Sequence, residues 1–130
     1  MSETPTQFIL GIDDLVEDLA EDAVVKLTQK LAITGLTGVV LKSPVDTGRF
    51  RGNWNVGVSN MDLSTSENTD ASGGTTISSG TSAIMGASAY EVIWLTNNLP
   101  YAQALENRHS KQAPAGVVAP TFAELESIVK

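Results

Sequence analysis

Apolar residues recur at spacings of three and four from Ile12 onward: Ile12, Leu15, Val16, Leu19, Ala23, Leu27 and Leu31. That period predicts an amphipathic helix with one apolar face. The pattern runs on through Leu36, Val39, Val40 and Leu41 until Pro44 bars it. A helix over 12–41 would be about 45 Å long at 1.5 Å per residue. Asp13, Asp14 and Glu17 stand in its first turns, where the positive end of the helix dipole favours carboxylates. Gly35 and Gly38 weaken its interior by up to about 1 kcal/mol each, relative to alanine. They are compensated if they let another segment approach closely.

The period then changes. Residues 43–48 are rich in turn formers, and Trp54, Val56 and Val58 alternate across 53–58 as in a half-buried strand. From Ser59 to Ser82 the chain is a Ser/Thr/Gly/Asp tract anchored only by Met61, Leu63 and Ile77. A connection of that length reads as a long mobile loop. The β-branched and aromatic content of 90–96 predicts a second strand. A turn at 97–100, a short helix over 101–106 beside Pro100, a loop over 107–116 and a closing helix over 121–129 complete the order. The fold class is α+β: a long N-terminal helix packed on a small antiparallel β-sheet, with short C-terminal helices. At 130 residues the chain is expected to be one domain, with residues 1–11 as a flexible N-terminus.

Composition narrows the function. No run reaches the roughly 18 consecutive apolar residues of a membrane span, and the basic-then-apolar start of a secretory signal is not seen. The expectation is a soluble protein used without export or membrane contact. The net charge of −7 argues against unaided binding to phosphate backbones. Acid crowds the first fifth of the chain, while Lys42, Arg49 and Arg51 form a basic cluster in the middle.

The sequence contains no cysteine, which excludes disulfides, thiolate metal sites and cysteine nucleophiles. It has a single histidine, His109, flanked by Arg108 and Ser110, and nothing in its spacing ties it to a serine and an acid. Glu91 and Glu106 read as an outer strand position and a helix end rather than as a catalytic carboxylate pair. Phosphate-cradling, zinc-protease, calcium-loop and nucleophile-elbow patterns are absent from the sequence. No catalytic residue, cofactor, metal or small-molecule substrate is therefore expected.

Two segments are more specific than a generic core requires. One runs Ser43-Pro44-Val45-Asp46-Thr47-Gly48-Arg49, with Gly52-Asn53-Trp54 shortly after. The other runs Asn97-Asn98-Leu99-Pro100-Tyr101-Ala102, with Leu105-Glu106 and then Ser110 to Gly116. Together, in this order, they resemble the neck and tail-completion proteins of tailed bacteriophages, in particular the HK97 gp10-like group of head–tail joining proteins. The similarity spans about Ile12 to the C-terminus, with Arg108 standing where similar proteins tend to carry glycine.

The resemblance implies a non-catalytic virion subunit that closes into a ring, commonly sixfold, between the portal side and the tail tube. Its partners would be copies of itself, neighbouring neck or portal-adaptor proteins and tail-tube proteins, with DNA only passing through the channel. It would act in the virion after assembly in the host cytoplasm. A tail-terminator or neck-adaptor ring, and a protein-binding adaptor outside any virion, are the competing expectations. Candidate subunit-interface residues are Asp46, Arg49, Arg51, Trp54, Asn97, Asn98, Tyr101 and Lys111. Arginine and large aromatics tend to dominate interface energy. Trp54 is expected in the core with an exposed edge.

Overall fold

The computed structural model describes residues 10–45, 48–100, 102 and 116–129, with side chains in the first helix described from Ala20 onward. The elements are α1 (Leu10–Lys42), α2 (Arg49–Gly52), β1 (Trp54–Val58), α3 (Gly74–Met85), β2 (Ile93–Asn97) and α4 (Val118–Val129). The α+β class holds: a 33-residue N-terminal helix, a two-stranded antiparallel sheet and a C-terminal helix. The strands pair with Trp54 opposite Asn97 and Val58 opposite Ile93. Of the expected short helix over 101–106, only Ala102 lies within the described residues.

The core sits between the C-terminal half of α1, α3 and the inner face of the sheet. Leu36, Val39, Val40, Phe50, Trp54, Ile84, Leu99 and Val117 are buried in it, with Ala32, Ile33, Val56, Ile77, Ile93 and Leu95 packed around them. At 100° per residue, Ala32, Ile33, Leu36, Val39 and Val40 share one face of α1. The stripe running from Ile12 to Leu31 is not that face. Ala23 is exposed, and Leu27 keeps 49% of its surface.

By length and composition, Ala20–Lys42 is long and apolar enough to cross a membrane. The same stretch supplies Leu36, Val39 and Val40 to the core. Towards its N-terminus, α1 leaves the body. Residues 20–23 are exposed, and Gln29 is the first described residue of α1 whose side chain bonds to another element, its Nε2 donating to the Met85 carbonyl at 3.3 Å.

The largest departure from the sequence pattern is α3. Residues 74–82, expected in a long loop, are helical despite a composition of Gly, Ser and Thr that disfavours helix. Tertiary packing overrides that preference: Ile77 and Ile84 enter the core and Gly80 faces α1. A Cβ on Gly80 would overlap the Leu36 side chain and approach Val56 Cγ2 to 2.9 Å. On the other flank of α1, a Cβ on Gly38 would meet Thr121 Cγ2 of α4 at 2.8 Å. Glycine at these two sites lets helices pack more closely than any side chain would allow. Lys42 Nζ donates to Glu124 Oε1 at 2.5 Å and ties α4 to the end of α1.

Candidate interaction surface

Arg49, Arg51, Trp54, Asn97 and Asn98 come together around α2 and the start of the sheet, and the structure shows what each holds. Arg51 is committed within the chain. Its Nε donates to the Ser43 carbonyl (3.0 Å), Nη2 to Leu41 (2.8 Å) and Nη1 to Ala71 (3.0 Å). Two of these acceptors lie at the C-terminal end of α1, where unsatisfied carbonyls and the negative end of the dipole favour a cation. Arg49 is held more loosely, with Nε donating to the Ser66 carbonyl (3.2 Å) and Nη2 paired with a largely exposed Glu67 (2.9 Å). Both guanidinium groups bind the chain's own carbonyls.

Trp54 is buried, with 9% of its surface exposed, and meets Phe50 edge-on at 6.0 Å between ring centroids. Its Nε1 donates to Ser43 Oγ (2.8 Å), which in turn donates to the Val39 carbonyl (2.6 Å). A buried indole N–H is thus satisfied by the turn that ends α1. Asn97 Nδ2 donates to the Phe50 carbonyl (2.9 Å), joining the two motifs directly. Asp46, Tyr101 and Lys111 lie outside the described residues, as do Glu106 and His109. Glu91 lies in the turn before β2 rather than on the strand, and its carboxylate accepts from the Ser88 amide and from Ser59 Oγ. These bonds hold its pKa below the ordinary value.

Sequence reading missed the strap that these polar residues hold. Residues 60–66 run across the outer face of the sheet. The Asp62 carbonyl accepts from Thr96 Oγ1 (2.7 Å), Asn98 Nδ2 (2.9 Å) and Asn55 Nδ2 (3.4 Å), and the Ser64 carbonyl accepts from Asn55 (2.9 Å) and Asn98 (3.2 Å). Asn53, only 1% exposed, donates to the Ser66 and Arg49 carbonyls (3.0 and 2.7 Å) and accepts from the Ser66 amide (2.7 Å). Both polar atoms of that amide are used, in three hydrogen bonds. Beneath the strap, Gly57 leaves room for the Asn60 carbonyl, which a Cβ would strike. The available sequence signal was the run of asparagines at 53, 55, 97 and 98. Asparagine is depleted in strands unless its side chain has backbone groups to satisfy.

Between strap and α3 lies a cleft of about 300 Å³. Its walls include Trp54, Asn55 and Val56 on one side and Thr76, Ser79 and Ala83 on the other. Asp62 and Asp70 also border it, and both carboxyls sit below the ordinary range. Ser64 donates to Asp62 and Thr76 donates to Asp70, in each case outweighing an opposing effect of burial. Among the described residues no group of three or more His, Cys, Asp or Glu side chains is arranged to hold a metal.

Other exposed apolar groups gather before and within β2: Met85, Tyr90, Val92 and Trp94 keep 57%, 71%, 56% and 39% of their surface. With the outward half of α1, they are the described surfaces best suited to docking. Comparison with protein-family models, with curated proteins and with solved structures finds no match to this chain.

Proposed function

We propose that the chain is a non-catalytic structural subunit of a tailed-phage virion, closing with its own copies into a ring at the head–tail junction. The observation that carries this reading is the ordered pair of motifs resembling head–tail joining proteins. Their relation in space supports it. Trp54 pairs with Asn97 in the sheet, and Asn97 bonds to the Phe50 carbonyl 47 positions away, so two separated segments build one framework. A likeness in two segments that fold into one unit is harder to produce by accident than either alone.

Ring closure needs a heterologous interface, in which one patch of a subunit meets a different patch of the next. The outward part of α1 and the exposed group around Tyr90 and Trp94 are two such patches. Neighbouring neck or portal-adaptor and tail-tube proteins would cover the ring's upper and lower faces. DNA would pass through without binding. A tail-terminator or neck-adaptor ring is the nearest alternative.

The deciding experiment is electron microscopy of particles from a phage with this gene disrupted. Filled heads beside separate tails, or tails of aberrant length, are expected. Normal infectious particles would overturn the reading and favour an adaptor acting outside the virion.

A further inference from the structure

The sheet buries one face and leaves the other partly bare. Side chains alternate across a strand, so Trp54, Val56, Ile93 and Leu95 serve the core while Gly57 and Trp94 turn outward. The strap crosses that outer face over Gly57, where a Cβ would meet Asp62 N at 3.1 Å. Trp94 stands opposite Gly57 in the register, and so lies beside strap residues 60–62. Met61 and Leu63, on either side of the sheet-bound Asp62 carbonyl, keep 49% and 67% of their surface. Val92 and Tyr90 extend the exposed group past the end of β2. Glu91 fixes that end, its carboxylate joining Ser59 Oγ to the Ser88 amide, with Ser59 and Tyr90 both at positive φ.

The charges at the margin of this patch are negative. Asp62 and Glu91 stand there, both with pKa values held below the ordinary range by hydrogen bonds and so ionised at neutral pH. The cation nearest the strap, Arg49, is taken by the Ser66 carbonyl and Glu67. A face of α1 carries the opposite character. At 100° per residue, Ala23, Leu27 and Leu41 share one side of the helix, about 140° from the core-facing side, and all three are exposed. Lys30 falls within that side and Lys26 at its margin, whereas Glu21 falls on the far side. Lys26 and Lys30 are exposed and pair with no described residue.

We infer that the outer face of the sheet takes α1 of a second copy of the chain, with Ala23 and Leu27 against Met61 and Trp94 and with Lys26 and Lys30 at Glu91 and Asp62. The inference rests on the ring-forming reading and specifies one contact of the ring. The chain's own α1 cannot make this contact. It packs on the inner face, where a Cβ on Gly35 would meet Leu95 Cδ1 at 3.3 Å, so the sheet stands between helix and patch. An apolar centre rimmed by charge is the usual build of such a surface, and tryptophan and tyrosine are its strongest anchors. The matched charges fix which way the helix lies. Helix face and sheet face are different patches, so the contact is heterologous and propagates from copy to copy.

The cysteine-free sequence makes the test direct. Full chains carrying Lys30→Cys are mixed with full chains carrying Met61→Cys and treated with a short bismaleimide. The control mixes Lys30→Cys with Thr75→Cys, Thr75 being exposed in the first turn of α3. Covalent heterodimers, identified by mass, are expected for the first mixture and not the second. The double variant Lys26→Glu, Lys30→Glu should keep its circular dichroism and associate about tenfold more weakly or worse in sedimentation. Rings seen by microscopy without the cross-link, links between two Lys30→Cys chains instead, or association untouched by the double variant would overturn this inference and leave the ring. Heterodimers from a protein that never closes into rings would keep the inference and overturn the ring. A chain that stays monomeric at about 100 µM, far above the dissociation constants of stable interfaces, would overturn both.

Discussion

Two arginines two positions apart in the sequence have different weights in the structure. Arg51 closes the end of α1 with three charge-assisted bonds, whereas Arg49 shares one carbonyl and an exposed carboxylate. Arg51→Ala should lower unfolding stability by about 1–3 kcal/mol in urea titration, and Arg51→Lys should recover only part, because an ammonium lacks the planar fork. Arg49→Ala should cost under about 1 kcal/mol, as exposed ion pairs do. Equal losses at both sites would contradict this account. Assembly tests that reverse the charge of Arg51 would also damage the fold, so they do not isolate an interface effect.

Acid sensitivity belongs to the same scale. Asp62, Asp70 and Glu91 all titrate below their ordinary values of 3.8 to 4.5 because hydroxyls and amides donate to them. With folded-state values depressed, the unfolded chain takes up protons first as pH falls. Their contribution is complete above about pH 5 and is lost as pH drops through the folded values. Asp70 Oδ2 also accepts from Thr76 N and Oγ1 (both 2.7 Å) in the first turn of α3. Asp70→Ala should cost about 1 kcal/mol at pH 7 and flatten the loss of stability below pH 4, measured by urea titration across pH. An unchanged acid profile would show that Asp70 does not contribute to it.

Among elements, α3 is the one that local preference argues against. An exposed glycine within a helix normally gains up to about 1 kcal/mol when replaced by alanine. At Gly80 the sign should reverse, since the added methyl must displace Leu36 and Val56. Gly80→Ala should destabilise by about 1–3 kcal/mol, read from the thermal or denaturant midpoint. Gly74→Ala, whose Cβ would meet only Ser72 Oγ at 3.4 Å, provides the control. A stabilised Gly80→Ala protein would mean that α1 and α3 are not packed as closely as described. The asparagine-held strap follows the same logic: residues 60–66 owe their path to side chains from β1, α2 and the end of β2, not to their own sequence.

The long first helix is used unevenly along its length. Its C-terminal half supplies core residues, whereas Ala23 and Leu27 nearer its N-terminus are exposed. In the isolated subunit, amides at 20–28 should exchange at least tenfold faster than those at 32–40, because local opening there disrupts few buried contacts. Association should slow exchange in the outward part. Identical rates in free and associated protein would remove that part of α1 from the interface.

The sequence by itself determined the class of the fold, the position of the long helix, the pairing-competent strands and the closing helix. Those are read from local period, and period is a property of neighbouring residues. The sequence also located the two polar motifs, because asparagine, arginine and tryptophan are unusual together at a turn. Only the tertiary structure decided what those residues do. The use of Arg51, Asn53 and Asn98 depends on carbonyls contributed by distant segments, and α3 forms where Gly80 meets a surface that α1 and β1 provide.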